Sequence, residues 1–207
     1  HQLAFAFVRH HIGADKDVEK WYNVTQKMLY EMGLRGLLWH YGDSPQRFLE
    51  ANMPPSEWKM LLPWKFKSGV PMNFWKNEDN HQLAFDVLRR HIGADNDVEK
   101  WYTVKHKMLK EMGLGGLLRD HYGTSPQRFL EANMPPSEWK MLLPWKFKSG
   151  VPQHYWKNED NHQLAFAFVR HHIGADKDVK KWYNVTKKML HEMGLRGLLC
   201  NHYGCLL

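Results

Sequence analysis

The sequence predicts an all-α protein, a tandem array of small multi-helix modules, each containing a helix-turn-helix-like unit. Three observations predict it. A stretch of about 80 residues repeats along the chain. Within each copy, apolar residues recur at spacings of three and four. No segment alternates apolar and polar with the period of two that a half-buried strand requires.

The pattern that starts at His1 begins again at His81 and once more at His162. HQLAFAFVRHHIGADKDVEKWYNV becomes HQLAFDVLRRHIGADNDVEKWYTV and then HQLAFAFVRHHIGADKDVKKWYNV. Residues 44–71 return unchanged as 125–152. One insertion shifts the register: LLWHYG, ending at Gly42, becomes LLRDHYG, ending at Gly123, and LLCNHYG, ending at Gly204. The chain therefore divides into module 1 (1–80), module 2 (81–161) and a partial module 3 (162–207). It opens without Met and inside the pattern, which is expected of a piece of a longer array or of an unusual terminus.

The elements follow from capping residues and apolar spacing. Asn158 to Asn161 can start a helix by capping free N–H groups. In module 2, Leu83, Val87, Leu88 and Ile92 continue such a helix, and Gly93 ends it in a left-handed turn. Asp95 and Asp97 are expected to cap a short helix through Trp101 and Tyr102. A third helix is expected over 104–112, with Val104, Met108, Leu109 and Met112 as its apolar stripe and Gly113 as its stop. A short helix over 116–122 turns Leu117 and Leu118 inward. Gly123 and Thr124 make a turn, and Ser125 caps the next helix with Pro126 at its first position. Phe129 and Leu130 face inward. Pro135, Pro136 and Pro144 make MPPSEWKMLLPWKF irregular. Val151, Pro152, Tyr155 and Trp156 close the module against the next.

Composition sets the outer bounds. With 43% hydrophobic and 14% aromatic residues the chain is globular rather than disordered. No apolar run approaches the roughly 20 residues of a membrane helix, and no secretory signal is visible. Both cysteines, Cys200 and Cys205, lie in the last copy, so cysteine chemistry cannot hold a module together. The net charge of +7 favours polyanionic partners. An intracellular place, nucleus or organelle, is expected.

The copies differ at few positions. Asn23, Gln26 and Tyr30 become Thr103, His106 and Lys110, then Asn184, Lys187 and His191. Their spacing places them on one exposed face of the third helix. Thr25 becomes Lys105 and then Thr186; Arg35 becomes Gly115 and then Arg196. Trp39 is replaced by Arg119 and Asp120, then by Cys200 and Asn201. Asp43 becomes Thr124 and then Cys205, and Met72 and Asn73 become Gln153 and His154. Such side chains can hydrogen-bond base edges or stack on bases. A constant scaffold with a changing polar face suits a modular reader of sequence. Drift after duplication also favours polar exposed sites, but leaves the constancy of Lys59 and Ser68 unexplained.

The constant cations would serve phosphates, which are the same at every base pair. These are Lys27, Lys107 and Lys188, with Arg47 and Arg128, Lys65 and Lys146, and Lys67 and Lys148. The helix start at Ser125 offers backbone N–H groups to a phosphate as well. A solvated lysine face is the plainer reading of the same residues.

No catalytic motif occurs: there is no GxxxxGK[ST], GxSxG or HExxH. Asp15 with Asp17 and Asp95 with Asp97 read as caps, because the Glu19 that would complete a carboxylate trio becomes Lys180 in the third copy. Neither a cofactor nor a metal is expected, and the recurrent Trp21, Trp58, Trp64 and Trp75 are expected in the core.

The Tyr-Gly-x-Ser turn in GLLRDHYGTSPQRFLEAN resembles the helical repeats associated with homing endonucleases and some helicases. That resemblance covers about 20 residues per module and implies DNA binding through the helix that holds Leu117 to Tyr122. The fuller pattern, GLL…HYG…W…PWKF…VP…FW…WY, resembles tandem arrays of plant and protist proteins and implies no function.

The leading expectation is a non-enzymatic, modular, sequence-selective reader of double-stranded DNA. The alternatives are a helical scaffold for protein partners and, third, RNA or single-strand binding. Neighbouring repeats of the same array are further expected partners, and a membrane is not.

Overall fold

The structure is a computed structural model that describes residues 1–152 and 154–204. The changing positions Gln153 and Cys205 lie outside the described residues. Among the described residues, every regular element is an α-helix or a 3-10 helix. No helix among them is long and apolar enough to cross a membrane. The chain divides into two compact units: His1–His81 with Met112–Leu114, and Gln82–Glu111 with Gly115–Leu207.

The first unit contains α1 (Gln2–Ile12), a 3-10 helix (Val18–Asn23), α2 (Gln26–Glu31), α3 (Arg35–Trp39), α4 (Pro45–Asn52) and α5 (Pro55–Trp58). The 3-10 turns Pro63–Lys65 and Phe74–Lys76 follow, and α6 (Glu78–Ile92) carries the chain onward. Gly13 ends α1 at φ 70, which lets Ala14 N–H return to the Arg9 carbonyl at 2.9 Å. Asp17 caps the 3-10 helix by accepting from Glu19 N–H at 3.0 Å, and Ser44 caps α4 by accepting from Arg47 N–H at 3.3 Å.

Two aromatic residues from different elements form the centre of this unit. Phe5 of α1 stacks on Trp21 with ring centres 5.1 Å apart, and Phe48 of α4 packs edge-on against Phe5. Both Phe5 and Trp21 are buried, with Val8, Leu29, Leu38, Leu49, Leu61 and Phe66 around them. The Trp21 indole N–H donates to Glu57 at 3.2 Å, and Arg9 donates to the other oxygen of Glu57 at 2.9 Å. A buried indole N–H without an acceptor would cost about 1–3 kcal/mol, so Glu57 makes that burial affordable. Tyr22 and Gln46 bind the proline-rich tail: Leu62 N–H donates to the Tyr22 hydroxyl at 2.9 Å, and the buried Gln46 amide donates to the Pro63 carbonyl at 2.8 Å.

The second unit contains a 3-10 helix (Val98–Thr103), α7 (His106–Glu111), α8 (Gly115–Tyr122), α9 (Pro126–Asn133) and α10 (Pro136–Trp139). The 3-10 turns Pro144–Lys146 and Tyr155–Lys157 lead to α11 (Glu159–His172), a 3-10 helix (Val179–Asn184), α12 (Lys187–Glu192) and α13 (Arg196–His202). Phe85 stacks on Trp101 at 5.1 Å, and the Trp101 indole donates to Glu138 at 3.0 Å while Arg89 bonds the same carboxylate. Asn158 caps α11 through Asp160 N–H at 2.9 Å, and Asp97 caps its 3-10 helix through Glu99 N–H at 3.0 Å, both as the sequence predicts.

Three expectations change. Asp95 does not cap; it faces Arg89, 3.9 Å away, while Asp97 alone accepts from the helix start. The helix expected over 104–112 is shorter, His106–Glu111, because Val104 is extended (φ −65, ψ 123) and fully buried as the chain leaves the 3-10 helix. The segment expected to be irregular forms the single turns Pro136–Trp139 and Pro144–Lys146, each started by a proline whose missing N–H costs nothing there.

Candidate interaction site

Five of the positions that change between copies converge on one patch. In the first unit, α2 places Gln26 and Tyr30 one turn apart, and α3 places Arg35 and Trp39 likewise. Gln26 donates to the Tyr30 hydroxyl at 2.8 Å, and that hydroxyl donates to Asp43 at 2.9 Å. The Arg35 guanidinium lies 5.4 Å from the centre of the Tyr30 ring. Trp39 stands 78% exposed beside them. Tyr30, Arg35, Gly36, Trp39 and Asp43 line a shallow cavity of about 360 Å³. The Tyr30 phenol is held above its ordinary pKa, first by lost hydration and then by its hydrogen bond to Asp43.

In the second unit, the patch residues of module 2 adjust to one another. Lys110 Cγ stands 3.5 Å from the point where a side chain at Gly115 would begin. A lysine here goes with a glycine, where the first copy has Tyr30 under Arg35. Two cations at these adjoining positions would repel, and the glycine avoids it. Arg119 and Asp120, which replace Trp39, bond each other at 2.7 and 3.1 Å, so that the pair is self-neutralised. That bond raises the Arg119 pKa and lowers that of Asp120. His106 is exposed. Around α12 and α13, Asn184 and Arg196 are exposed, whereas the half-buried His191 has its Nε2 enclosed with no hydrogen-bond partner.

The expected single helical face is corrected in two respects. Asn23, Thr103 and Asn184 end the preceding 3-10 helix and do not belong to the helix of Gln26, His106 and Lys187. The face is also not uniformly exposed: Tyr30, Thr103, Lys187 and His191 are half-buried, and the Thr103 hydroxyl is already donated to the Lys100 carbonyl at 2.7 Å.

The constant cations have neighbours within the fold. Lys27, Lys107 and Lys188 each stand 3.8 to 3.9 Å from a glutamate one turn on: Glu31, Glu111 and Glu192. These pairs are exposed and weak, yet they offset the charge locally. Lys65 Nζ lies 5.8 Å from the Tyr22 ring, and Lys146 Nζ lies 5.7 Å from both Tyr102 and Phe168. Arg47 and Arg128 lie over the turn glycines, Nη1 standing 3.3 and 3.4 Å from the Cβ positions of Gly42 and Gly123. Lys67 and Lys148 tie the tail through backbone N–H bonds to the carbonyls of Tyr22 and Tyr102 at 2.8 and 2.9 Å, bonds that leave their ammonium groups uncommitted. The Ser125 hydroxyl accepts from Arg128 N–H at 3.3 Å, which uses one of the helix-start donors expected to meet a phosphate.

A second groove adjoins the patch. Lys27, Lys67 and Ser44 line it together with Gln26, Asp43 and Met72, and it encloses about 370 Å³ beside the start of α4. Met72 is 84% exposed there. Helix α9, the second of the pair joined at Gly123–Thr124, buries Pro126, Gln127, Phe129 and Leu130 and turns Arg128, Glu131 and Ala132 outward. A glutamate on that face opposes a phosphate backbone. The charge is unevenly spread: residues 1–80 carry ten Lys and Arg against nine Asp and Glu, 81–161 twelve against ten, and 162–207 seven against three.

Sequence reasoning noticed that Asp43 and Met72 change but gave them no role. Asp43 accepts the bond that organises the patch, and its signal was a position next to a turn glycine that changes with Tyr30. Compared with protein-family models, with curated proteins and with solved structures, the chain matches none.

Proposed function

We propose that this chain is a repeat-built recognition scaffold: a constant helical framework presents one copy-variable patch per module, and the patch takes a protein partner. The observation that carries the reading is the convergence of Gln26, Tyr30, Arg35, Trp39 and Asp43, five positions that change between copies, on one hydrogen-bonded surface. Tyr, Trp, Arg and Met are the side chains enriched where proteins bind proteins, and Trp39, Tyr30, Arg35 and Met72 supply all four. The near balance of charge over residues 1–161 suits a protein surface better than a polyanion.

Double-stranded DNA is the second reading, and the groove beside α4 favours it. Lys27, Lys67 and the capped start of α4 lie there next to the changing Gln26 and Asp43, which is the juxtaposition a phosphate-plus-base contact needs. The module as an independent repeat and the helix-turn-helix docking through α8 belong to this second proposal.

Two selections on the full chain separate the readings: random peptides displayed on phage, and a randomised duplex pool. The protein reading expects peptides whose binding falls when Trp39 or Arg35 is replaced by Ala and changes little with salt. The DNA reading expects duplexes whose affinity drops about 10³–10⁵-fold between 50 and 200 mM salt, for roughly 6–10 phosphate contacts.

A further inference from the structure

We propose that the second copy's counterpart of the groove beside α4 binds a phosphoryl group, carried on a phosphorylated side chain of the partner protein. The inference rests on the reading of the chain as a scaffold that takes a protein partner, and it adds a charged contact beside the patch.

The groove is built alike in the two complete copies. In the first, Gln26 and Lys27 of α2, Asp43 and Ser44 before α4, and Lys67 and Ser68 of the tail line about 370 Å³. Matching bonds hold the same three walls in the second. Leu109 N–H donates to the Lys105 carbonyl at 3.2 Å, as Leu29 N–H does to Thr25. Ser125 caps α9 as Ser44 caps α4, and Thr124 holds φ 64 where Asp43 holds φ 56. The buried Gln127 amide donates to the Gly150 carbonyl at 2.6 Å, as Gln46 does to Gly69, and Lys148 N–H reaches the Tyr102 carbonyl. All of these walls lie within residues 105–152, inside the middle copy.

The difference between the two grooves is charge. The first sets Lys27 and Lys67 against the carboxylate of Asp43. In the second, Thr25 becomes Lys105, Gln26 becomes His106 and Asp43 becomes Thr124, while Lys107 and Lys148 keep the places of Lys27 and Lys67. Three ammonium groups and an imidazole, all exposed, thus border walls that bring no carboxylate. Only Lys107 has an acid near it, Glu111 at 3.8 Å, in an exposed pair; Lys105, His106 and Lys148 form no ion pair among the described residues. Cations gathered in this way repel one another, and a bound anion relieves the repulsion. A phosphomonoester brings a charge of about −1.5 to −2 at neutral pH and three acceptor oxygens. A single dianion fits better than a duplex, because the cations do not continue as a track. The first groove contains Asp43, Arg119 is spent on Asp120, and Glu131 stands on the outward face of α9.

The test follows the backbone amides of the full chain by NMR as the peptide acetyl-Gly-Gly-phosphoserine-Gly-Gly-amide is added. Saturable shifts are expected at Lys107, Thr124, Ser125 and Lys148, half-complete below roughly 1 mM. Lys27, Asp43 and Ser44 should move little, and the peptide with plain serine should move neither set. Thr124→Asp should weaken binding about tenfold, and Thr25→Lys with Asp43→Thr should create a second site in the first copy. Three results would each overturn the proposal: no shift in a chain whose helical circular dichroism is intact, equal shifts in the two copies, or a mixed-sequence duplex of about 12 base pairs that shifts both grooves alike and at lower concentration. If the phosphopeptide fails while phage-selected peptides still bind through Trp39, the phosphoryl site alone is rejected.

Discussion

Tyr30 donates its hydroxyl to Asp43 at 2.9 Å while accepting from Gln26 at 2.8 Å, so a single phenol joins three positions at which the copies differ. Residues joined in this way cannot change independently without leaving a partner unmatched. Lys110, where the second copy departs from Tyr30, is accordingly accompanied by Gly115 in place of Arg35 and by Thr124 in place of Asp43. In the third copy His191 stands in place of Tyr30 while Arg196 keeps the arginine of Arg35, so the correlated change belongs to the second copy.

The Tyr30–Asp43 bond predicts a pH response. The folded phenol titrates above its ordinary value of 10.0, so the fold favours its neutral form. That contribution is complete below the unfolded value and is lost as pH rises through the folded one. Asp43→Asn should bring the Tyr30 titration, followed by ¹³C-tyrosine NMR, down towards 10.0 without reaching it, because lost hydration is the larger cause. A titration unmoved by the substitution would remove Asp43 from the patch.

Glu57 accepts from both Trp21 and Arg9, and its side chain is only 11% exposed. Glu57→Ala should destabilise the first unit by about 2–3 kcal/mol, since a charge-assisted bond and an indole partner disappear together. Glu57→Gln, which can still accept from Trp21, should cost about half of that. Urea unfolding followed by circular dichroism measures both, and equal losses would mean that the charge carries everything.

Gly33 and Gly113 occupy the same place in successive copies, at φ 76 and 85, yet their surroundings differ. Nothing lies within 4 Å of a Cβ at Gly33, whereas one at Gly113 would meet the Trp64 carbonyl oxygen at 2.9 Å. Gly33→Ala should cost about 1–2 kcal/mol for the left-handed backbone alone. Gly113→Ala should cost roughly 2–4 kcal/mol, because the close contact adds to the backbone term. Equal losses in thermal unfolding would show that the contact with Trp64 yields freely.

Thr124 sits at φ 64, where a β-branched residue is strained and where the first copy has the better suited Asp43 at φ 56. Thr124→Asn should raise stability by about 1 kcal/mol. A lowered melting temperature would show that the Thr124 hydroxyl bond to the Gly123 carbonyl, at 2.6 Å, outweighs the strain.

The helices and their ends were legible because caps and glycine stops act locally: Asp97, Ser125, Asn158 and Gly93 stand where their chemistry requires. The burial of Trp21, Trp64 and Trp75 followed from recurrence, while Trp58, expected with them, packs against the core only half-buried. What escaped was set by tertiary packing. Val104 leaves the helix because the core takes its side chain, and Asn23 leaves the patch with the matching residue Val24 for the same reason. Lys65 also lies over a tyrosine ring from a segment about 40 residues earlier, a neighbour its constancy alone did not reveal. No local pattern encodes such a pairing.

The most direct test of the recognition patch is the binding of phage-selected peptides to the chain before and after Trp39→Ala. The Trp39 side chain is 78% exposed, so its removal should leave thermal stability unchanged. The account predicts that the selected peptides lose about thirtyfold in affinity, the mark of an aromatic hot spot. Peptides that bind the altered chain as tightly as the original would contradict it.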